Sequence, residues 1–292
     1  MKTYLACYPC FLRQALDASQ MVGATGDQQE KVIHATLALL QEVDAKDTPP
    51  EIGARIHRLV REMIGNGDPY RQAKDRATAQ ALALYPELKA NHATASDPLE
   101  MAVRAAIAGN IIDFGPARTY ALQETLDRVL TQPFAVGDMV PLRDALCRAQ
   151  RVLYLADNAG ETVFDRLLIE ALPVPVTYAV KSGPVLNDAT LADAKAAGLD
   201  EVADLITTGS DAPGTILQQC SVAFRRRFER ADLIVAKGQA NYETLSPGHT
   251  RLFFLLQAKC PVIAEDIGVP VRSIILRQGG WLDSPRSPEA RT

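Results

Sequence analysis

The stretch Arg151-Val152-Leu153-Tyr154-Leu155-Ala156-Asp157-Asn158-Ala159-Gly160-Glu161 decides the fold. Five apolar residues, too few for a helix and rich in strand formers, stop at a polar turn carrying Asp, Asn and Gly. The chain then runs from Thr162 to Leu172, a helical length. The same alternation recurs downstream. Short apolar runs at Val174–Val180, Asp204–Thr207, Leu233–Ala236 and Pro261–Ala264 read as strands. Thr190–Ala197, Gly214–Arg230 and Thr244–Lys259 read as the helices between them. Strands alternating with helices at this spacing mean βαβ units: a parallel sheet covered on both faces, with right-handed crossovers.

Upstream the texture is helical. Ile33, Leu37 and Leu40 recur at helical spacing, as do Ile52, Ile56, Leu59, Met63 and Ile64. Thr48-Pro49-Pro50-Glu51 has the form of a capping box with Pro in the first turn, and Gly65-Asn66-Gly67 is a stop. Ala and Gln dominate Gln72–Leu84, and no strand of useful length precedes Arg151. The expected organisation is a helical N-terminal domain over 1–130, an α/β domain over 131–282 and a polar, Pro-rich, frayed tail over 283–292.

Of 292 residues, 47% are hydrophobic and 23% charged, which is globular usage and excludes disorder as the main state. The 31 basic and 35 acidic residues give a formal charge of −4, so the chain as a whole has no pull on nucleic acid or anionic lipid. No apolar run approaches the roughly 20 residues that span a bilayer. The start has one lysine and is interrupted by Tyr8, Pro9 and Cys10, unlike a signal peptide, so a cytoplasmic protein is expected. The five cysteines form no disulfide framework.

In an open parallel sheet, ligands sit beyond the C-terminal strand ends. The loops after the runs supply Asp157-Asn158-Ala159-Gly160-Glu161, then Lys181-Ser182-Gly183-Pro184 with Asn187-Asp188, then Gly209-Ser210-Asp211 with Gly214-Thr215, then Lys237-Gly238-Gln239-Ala240-Asn241. Asp157, Asn158 and Asp188 are candidate ligands for a hard divalent ion. The alternative is that Asp157 or Asn158 caps the helix beginning near Glu161. Lys237, before Gly238, can reach a phosphate as a point charge or stand solvated in a loop. Gly209-Ser210 and Gly214-Thr215 can add anion contacts or serve only as turns. Asp193, in Thr190-Leu191-Ala192-Asp193, reads as the end of a capping box. There is no P-loop and no dinucleotide-type glycine fingerprint. Cys7-Tyr8-Pro9-Cys10 reads as half a zinc site, a redox pair or two packed thiols, and Arg225-Arg226-Arg227 with Arg230 as a solvated helix face.

These residues, with others, carry a resemblance. Cys7-Tyr8-Pro9-Cys10 with Arg13-Gln14-Ala15, Asp68-Pro69-Tyr70, Gly109-Asn110-Ile111-Ile112-Asp113-Phe114-Gly115, Asp157-Asn158-Ala159-Gly160-Glu161 with Phe164-Asp165, Gly183-Pro184-Val185-Leu186-Asn187-Asp188-Ala189-Thr190 and Ala236-Lys237-Gly238-Gln239-Ala240-Asn241-Tyr242-Glu243 follow in order. The chain resembles the DUF89 family of metal-dependent damage-control phosphatases, most closely its compact prokaryotic branch with an N-terminal cysteine pair. The resemblance runs from Cys7 to about Ile275. It implies a Rossmann-like α/β/α sandwich beside a helical part. It also implies a divalent ion (Mg, Mn, Co or Ni) on Asp157, Asn158 and Asp188, Lys237 on the phosphate, and Asn110 and Asp113 near the site.

The expected activity is hydrolysis of a phosphomonoester on a small phosphorylated metabolite, such as a sugar phosphate. Lys237, Gly238, Asn110, Ser210 and Asn187 would bind it. Asp113 or Glu161 would accept the proton of the attacking water, or Asp157 would attack directly. Two alternatives from other classes are an S-adenosylmethionine-dependent carboxyl methyltransferase and a non-catalytic phosphometabolite-binding protein. No nucleic-acid or membrane partner is expected, and the sequence does not give the oligomeric state.

Overall fold

The computed structural model describes residues 1–44, 46–65, 67–111 and 126–280; Asp113 and the tail from 283 lie outside the described residues. Helices α1 (Tyr8–Met21), α2 (Gly26–Gln41) and α3 (Pro49–Ile64) close on one another through Phe11, Ala15, Val32, Ile52, Ile56 and Val60. Helix α3 starts and stops where its signals stand. The Glu51 carboxylate accepts from the Thr48 N–H at 2.7 Å and from its hydroxyl at 2.9 Å, and Gly65 ends the helix at φ 75°. Helices α4 (Arg71–Thr94) and α5 (Pro98–Ile111) follow, but Ala81, Leu88, Ala102, Val103 and Ile107 bury into the core on one face of the sheet.

The rest alternates: β1 (Val136–Gly137), α6 (Met139–Arg148), β2 (Val152–Leu155), α7 (Thr162–Ala171), β3 (Val176–Val180), α8 (Leu191–Ala196), β4 (Asp204–Thr207), α9 (Val222–Arg230), β5 (Leu233–Lys237), α10 (Gly238–Leu245), β6 (Leu252–Gln257), α11 (Pro261–Ile267) and β7 (Ile274–Gln278). The seven strands form one sheet in the order β1-β7-β6-β5-β2-β3-β4. Every pairing is parallel except β6 with β7. The chain is therefore an α/β protein with a mainly parallel sheet, as the alternation predicts.

Strand side chains divide between two cores. Val152, Tyr154, Val176, Tyr178, Leu233 and Val235 meet α5 and α7 on one face, whereas Leu153, Leu155, Ile234 and Ala236 meet α9, α10 and α11 on the other. Burial on both faces is why the strands read as unbroken apolar runs rather than alternating ones.

One expected strand and one expected helix are wrong. Pro261–Ala264 opens helix α11, with an extended N-cap at Cys260, Pro261 in the first turn and Gly268 closing it at φ 81°. Thr244–Lys259 is not a helix: α10 ends at Leu245, and Leu252–Gln257 is the fully buried strand β6. Short apolar runs do not declare their period, and Pro247-Gly248 is the punctuation that separates the two elements. No helix of the described residues is long and apolar enough to cross a membrane.

Candidate active site

From β2 the chain moves outward through β3 and β4, then returns to place β5 on β2's other side. The crevice beyond the C-terminal ends of β2 and β5 is thus where the strand order reverses, the usual ligand position in an open α/β sheet. Asp157 and Asn158 follow β2 there, and Gly238 follows β5. The Ala189 N–H donates to the Asp157 carbonyl at 2.8 Å and the Ala159 N–H to the Asn187 carbonyl at 2.8 Å, so Asn158 and Asp188 pair as an antiparallel bridge. This small bridge brings together the three candidate ligands from two loops.

Asp157, Asn158 and Asp188 line a cavity of about 510 Å³. Phe11, Gln14, Pro50 and Gly53 from α1 and α3 form its opposite wall, and Gln239, Glu243 and Lys259 lie on the sheet side. Neither Asp157 nor Asn158 caps α7. Instead Asp157 Oδ2 accepts from Asn110 Nδ2 at 2.7 Å and from Asn158 Nδ2 at 3.0 Å. Gly238 is required beneath it: at φ +77°, a Cβ there would stand 1.9 Å from Asp157 Oδ2.

The site is crowded with buried acceptors. Asp188 Oδ2 and Asn110 Oδ1 are buried without a hydrogen-bond partner. Burial, then the Asp188 carboxylate, push Asp157 up to about 6, against the pull of Lys259, Lys181 and Lys237. Burial pushes Asp188 up to about 6 against Lys181, whose ammonium is 3.6 Å away. Oxygen acceptors left over in a buried pocket are what a hard cation satisfies. Among the described residues no three His, Cys, Asp or Glu side chains stand in metal-holding geometry, so any such ion would rest on two carboxylates and an amide.

Two expected site residues lie one layer lower. Glu161 is fully buried and does not line the cavity; its Oε1 accepts from the Asn158 N–H at 2.7 Å, and burial pushes it up to about 7. Lys237 is also fully buried. Its ammonium donates to Asp165 Oδ1 at 2.6 Å and stands 3.6 Å from Glu161 Oε2. Tyr154 and Tyr178 hydroxyls donate to the same Asp165 carboxylate at 2.7 Å each. Burial works against the Lys237 charge, but Asp165 and Glu161 outweigh it and hold the group above its ordinary value. Strand alternation explains the placement: Leu233, Val235 and Lys237 share the α5/α7 face, so the lysine points under the site rather than across it.

Ser210 and Asn187 do not line the cavity. Ser210 Oγ accepts from the Ala212 N–H at 3.2 Å within its own turn, and Asn187 is exposed. Asp193 is the capping-box residue expected, accepting from the Thr190 N–H at 2.9 Å; it also accepts from the buried Lys74 at 3.1 Å. Cys7, Cys10 and Cys260 are free thiols along the cavity wall. Sequence reasoning missed Lys259 and Glu243. Lys259 follows β6, so it obeys the same strand-end rule and was hidden only by the misplaced strand. Burial pushes Glu243 up to about 7.

The model of the damage-control phosphatase ARMT1-like domain matches residues 3–275. The chain belongs to the ARMT1-like damage-control phosphatase family. Its relatives include an uncharacterized protein of Methanocaldococcus jannaschii, 36% identical over 92% of this chain and 93% of that one. A damage-control phosphatase of Pyrococcus horikoshii is 34% identical, over 94% of this chain and 97% of its own length. Another, from Archaeoglobus fulgidus, is 34% identical over 95% and 99%. The crystal structure of a DUF89 family protein from Pyrococcus horikoshii superposes with a TM-score of 0.89 at 32% identity, covering 96% of this chain and 99% of that one. For this member of the ARMT1-like family, the likeness extends over the helical part and the sheet together.

Proposed function

We propose that this chain is a metal-dependent phosphatase that hydrolyses phosphomonoesters of small phosphorylated metabolites. The observation that carries the reading is the group of buried, donor-poor oxygens around Asp157 and Asp188 at the strand-order reversal, on a chain whose relatives are named damage-control phosphatases.

Asp157, Asn158 and Asp188 would hold a divalent ion such as Mg, Mn, Co or Ni, with Asn110 and Gly238 fixing the Asp157 carboxylate. When bound, the ion supplies charge neutralisation and polarisation at a phosphoryl oxygen. The remaining work falls to the chain's own groups. Glu161 fixes the Asn158 backbone through its 2.7 Å bond. Lys259, facing the cavity, supplies the exposed positive charge that draws a phosphate in. Lys237 is the buried counter-charge beneath the carboxylates rather than a direct phosphate contact. Residues of α1 and α3, within the helical segment up to about 130, form the wall that selects the rest of the substrate.

The test is phosphate release from a panel of phosphometabolites with and without Mg²⁺, Mn²⁺, Co²⁺ or Ni²⁺. Asp157→Asn and Asp188→Asn are each expected to reduce turnover by at least a hundredfold while leaving the circular dichroism spectrum unchanged. Turnover by either within a few-fold of the parent removes the assignment.

A further inference from the structure

A second cavity, of about 240 Å³, opens at the opposite end of the strands. Arg151 precedes β2, Thr177 is the second residue of β3, Asp232 precedes β5, and Arg226, Arg227 and Arg230 come from α9; all line it. It therefore sits at the N-terminal ends of β2, β3 and β5. With four residues in β2 at ~3.3 Å each, it is roughly 13 Å from the crevice that holds Asp157.

Four exposed arginines and one aspartate line this cavity, in a chain whose formal charge is −4. Among the described residues the side chains of these four arginines make no hydrogen bond or ion pair with the protein. Asp232 is already engaged, accepting from the Gln150 N–H at 3.1 Å. Helix-dipole complementation accounts for Arg227 and Arg230 in the last turn of α9. It does not account for Arg151, which comes from another element, or for Thr177. Thr177 is 3% exposed, and its hydroxyl is buried without a hydrogen-bond partner. A buried hydroxyl is ordinarily paired. An unpaired one beside four unpaired guanidinium groups marks a place for a ligand rich in acceptor oxygens.

We propose that this cavity is a binding site for a small, multiply charged phosphate compound, separate from the catalytic crevice. The guanidinium forks would grip its oxygens, and the Thr177 hydroxyl would donate to one of them. The concavity and the modest volume suit a pyrophosphate-sized group or a phosphorylated metabolite. The overall negative charge of the chain argues against a nucleic acid.

The test is calorimetric titration of the full chain with inorganic pyrophosphate in EDTA, and in parallel with glycerol phosphate to separate a bare polyphosphate group from an organic phosphate. Saturable one-to-one binding is expected, weakening as KCl is raised. It is expected to survive Asp157→Asn and to weaken at least tenfold in Arg226→Ala/Arg230→Ala, with phosphate release unchanged in the latter. Thr177→Val, which keeps the shape and removes the hydroxyl, is expected to weaken binding several-fold without lowering Tm. Three results overturn the proposal: no binding by the parent chain, equal affinity in the double arginine variant, or binding abolished by Asp157→Asn alone.

Discussion

Replacing Lys237 with methionine separates two roles for that residue. If the ammonium served chiefly to hold a substrate phosphate, Lys237→Met would leave the folded state almost untouched and raise KM. The structure leads to a different outcome. Lys237 has no exposed surface, and its partners are Asp165 at 2.6 Å and Glu161 at 3.6 Å. Methionine fills nearly the same volume, so no cavity term arises. What is lost is the cation between two buried carboxylates. Removing one partner of a buried pair costs about 3–5 kcal/mol. Two tyrosine hydroxyls at 2.7 Å still donate to Asp165, which places the expected loss near the lower end, about 3 kcal/mol. Urea unfolding followed by circular dichroism measures it, with an unchanged m-value as the condition for reading the midpoint shift as stability. The double variant Lys237→Met/Asp165→Asn removes both charges and is expected to recover more than half of the loss, a coupling that only contact between the two side chains produces. A loss below about 1 kcal/mol in the single variant, or strict additivity in the double, refutes the buried counter-ion reading.

Three other predictions follow from named contacts. Gly238→Ala is expected to abolish phosphate release and lower Tm by several degrees, because the new Cβ meets Asp157 Oδ2 at 1.9 Å and φ is +77°; a parent-like rate in the purified variant refutes this. Burial, with Arg61 nearby, lowers His57 from 6.5 to about 4, so the unfolded chain takes up its proton first as pH falls. The contribution of neutral His57 is therefore full above about pH 7.5 and declines by about 3 kcal/mol on the way to pH 4; His57→Phe should flatten the stability profile in that window, and an unchanged slope counts against it. Asp211 accepts from Arg58 and Arg61 of α3 and so ties the cavity wall to the loop after β4. These groups are partly exposed, so Asp211→Asn should cost under about 1 kcal/mol in stability while raising KM, and a parent-like KM sinks the wall argument.

Some of the site was legible because strand ends in a parallel sheet are legible. Asp157, Asn158 and Asp188 each follow an apolar run, and the structure brings all three to one crevice. The two misassigned elements share one physical cause. A short apolar stretch buried on both sides carries no period, so Leu252–Gln257 and Pro261–Ala264 exchanged identities, and Lys259 was lost with the misplaced strand end. Asn110 could be reached only through the family resemblance, because the face of α5 that meets Asp157 is set by packing against α7, not by spacing.

Lys237 is the more instructive case, because the information that places it lay in the strand's own register. A residue at a strand's end was read as belonging to the loop and therefore to the ligand. Alternation assigns it instead to the face that Leu233 and Val235 occupy, the face where Tyr154 and Tyr178 of neighbouring strands also point. Three polar tips from three adjacent strands on one buried face demand a shared partner. Asp165, near the start of α7, is the carboxylate within reach. The strand-end rule identifies which loops form a site, whereas strand parity decides which of their residues enter the crevice and which become its charged foundation. For a parallel sheet, both must be applied before a lysine is assigned to a phosphate.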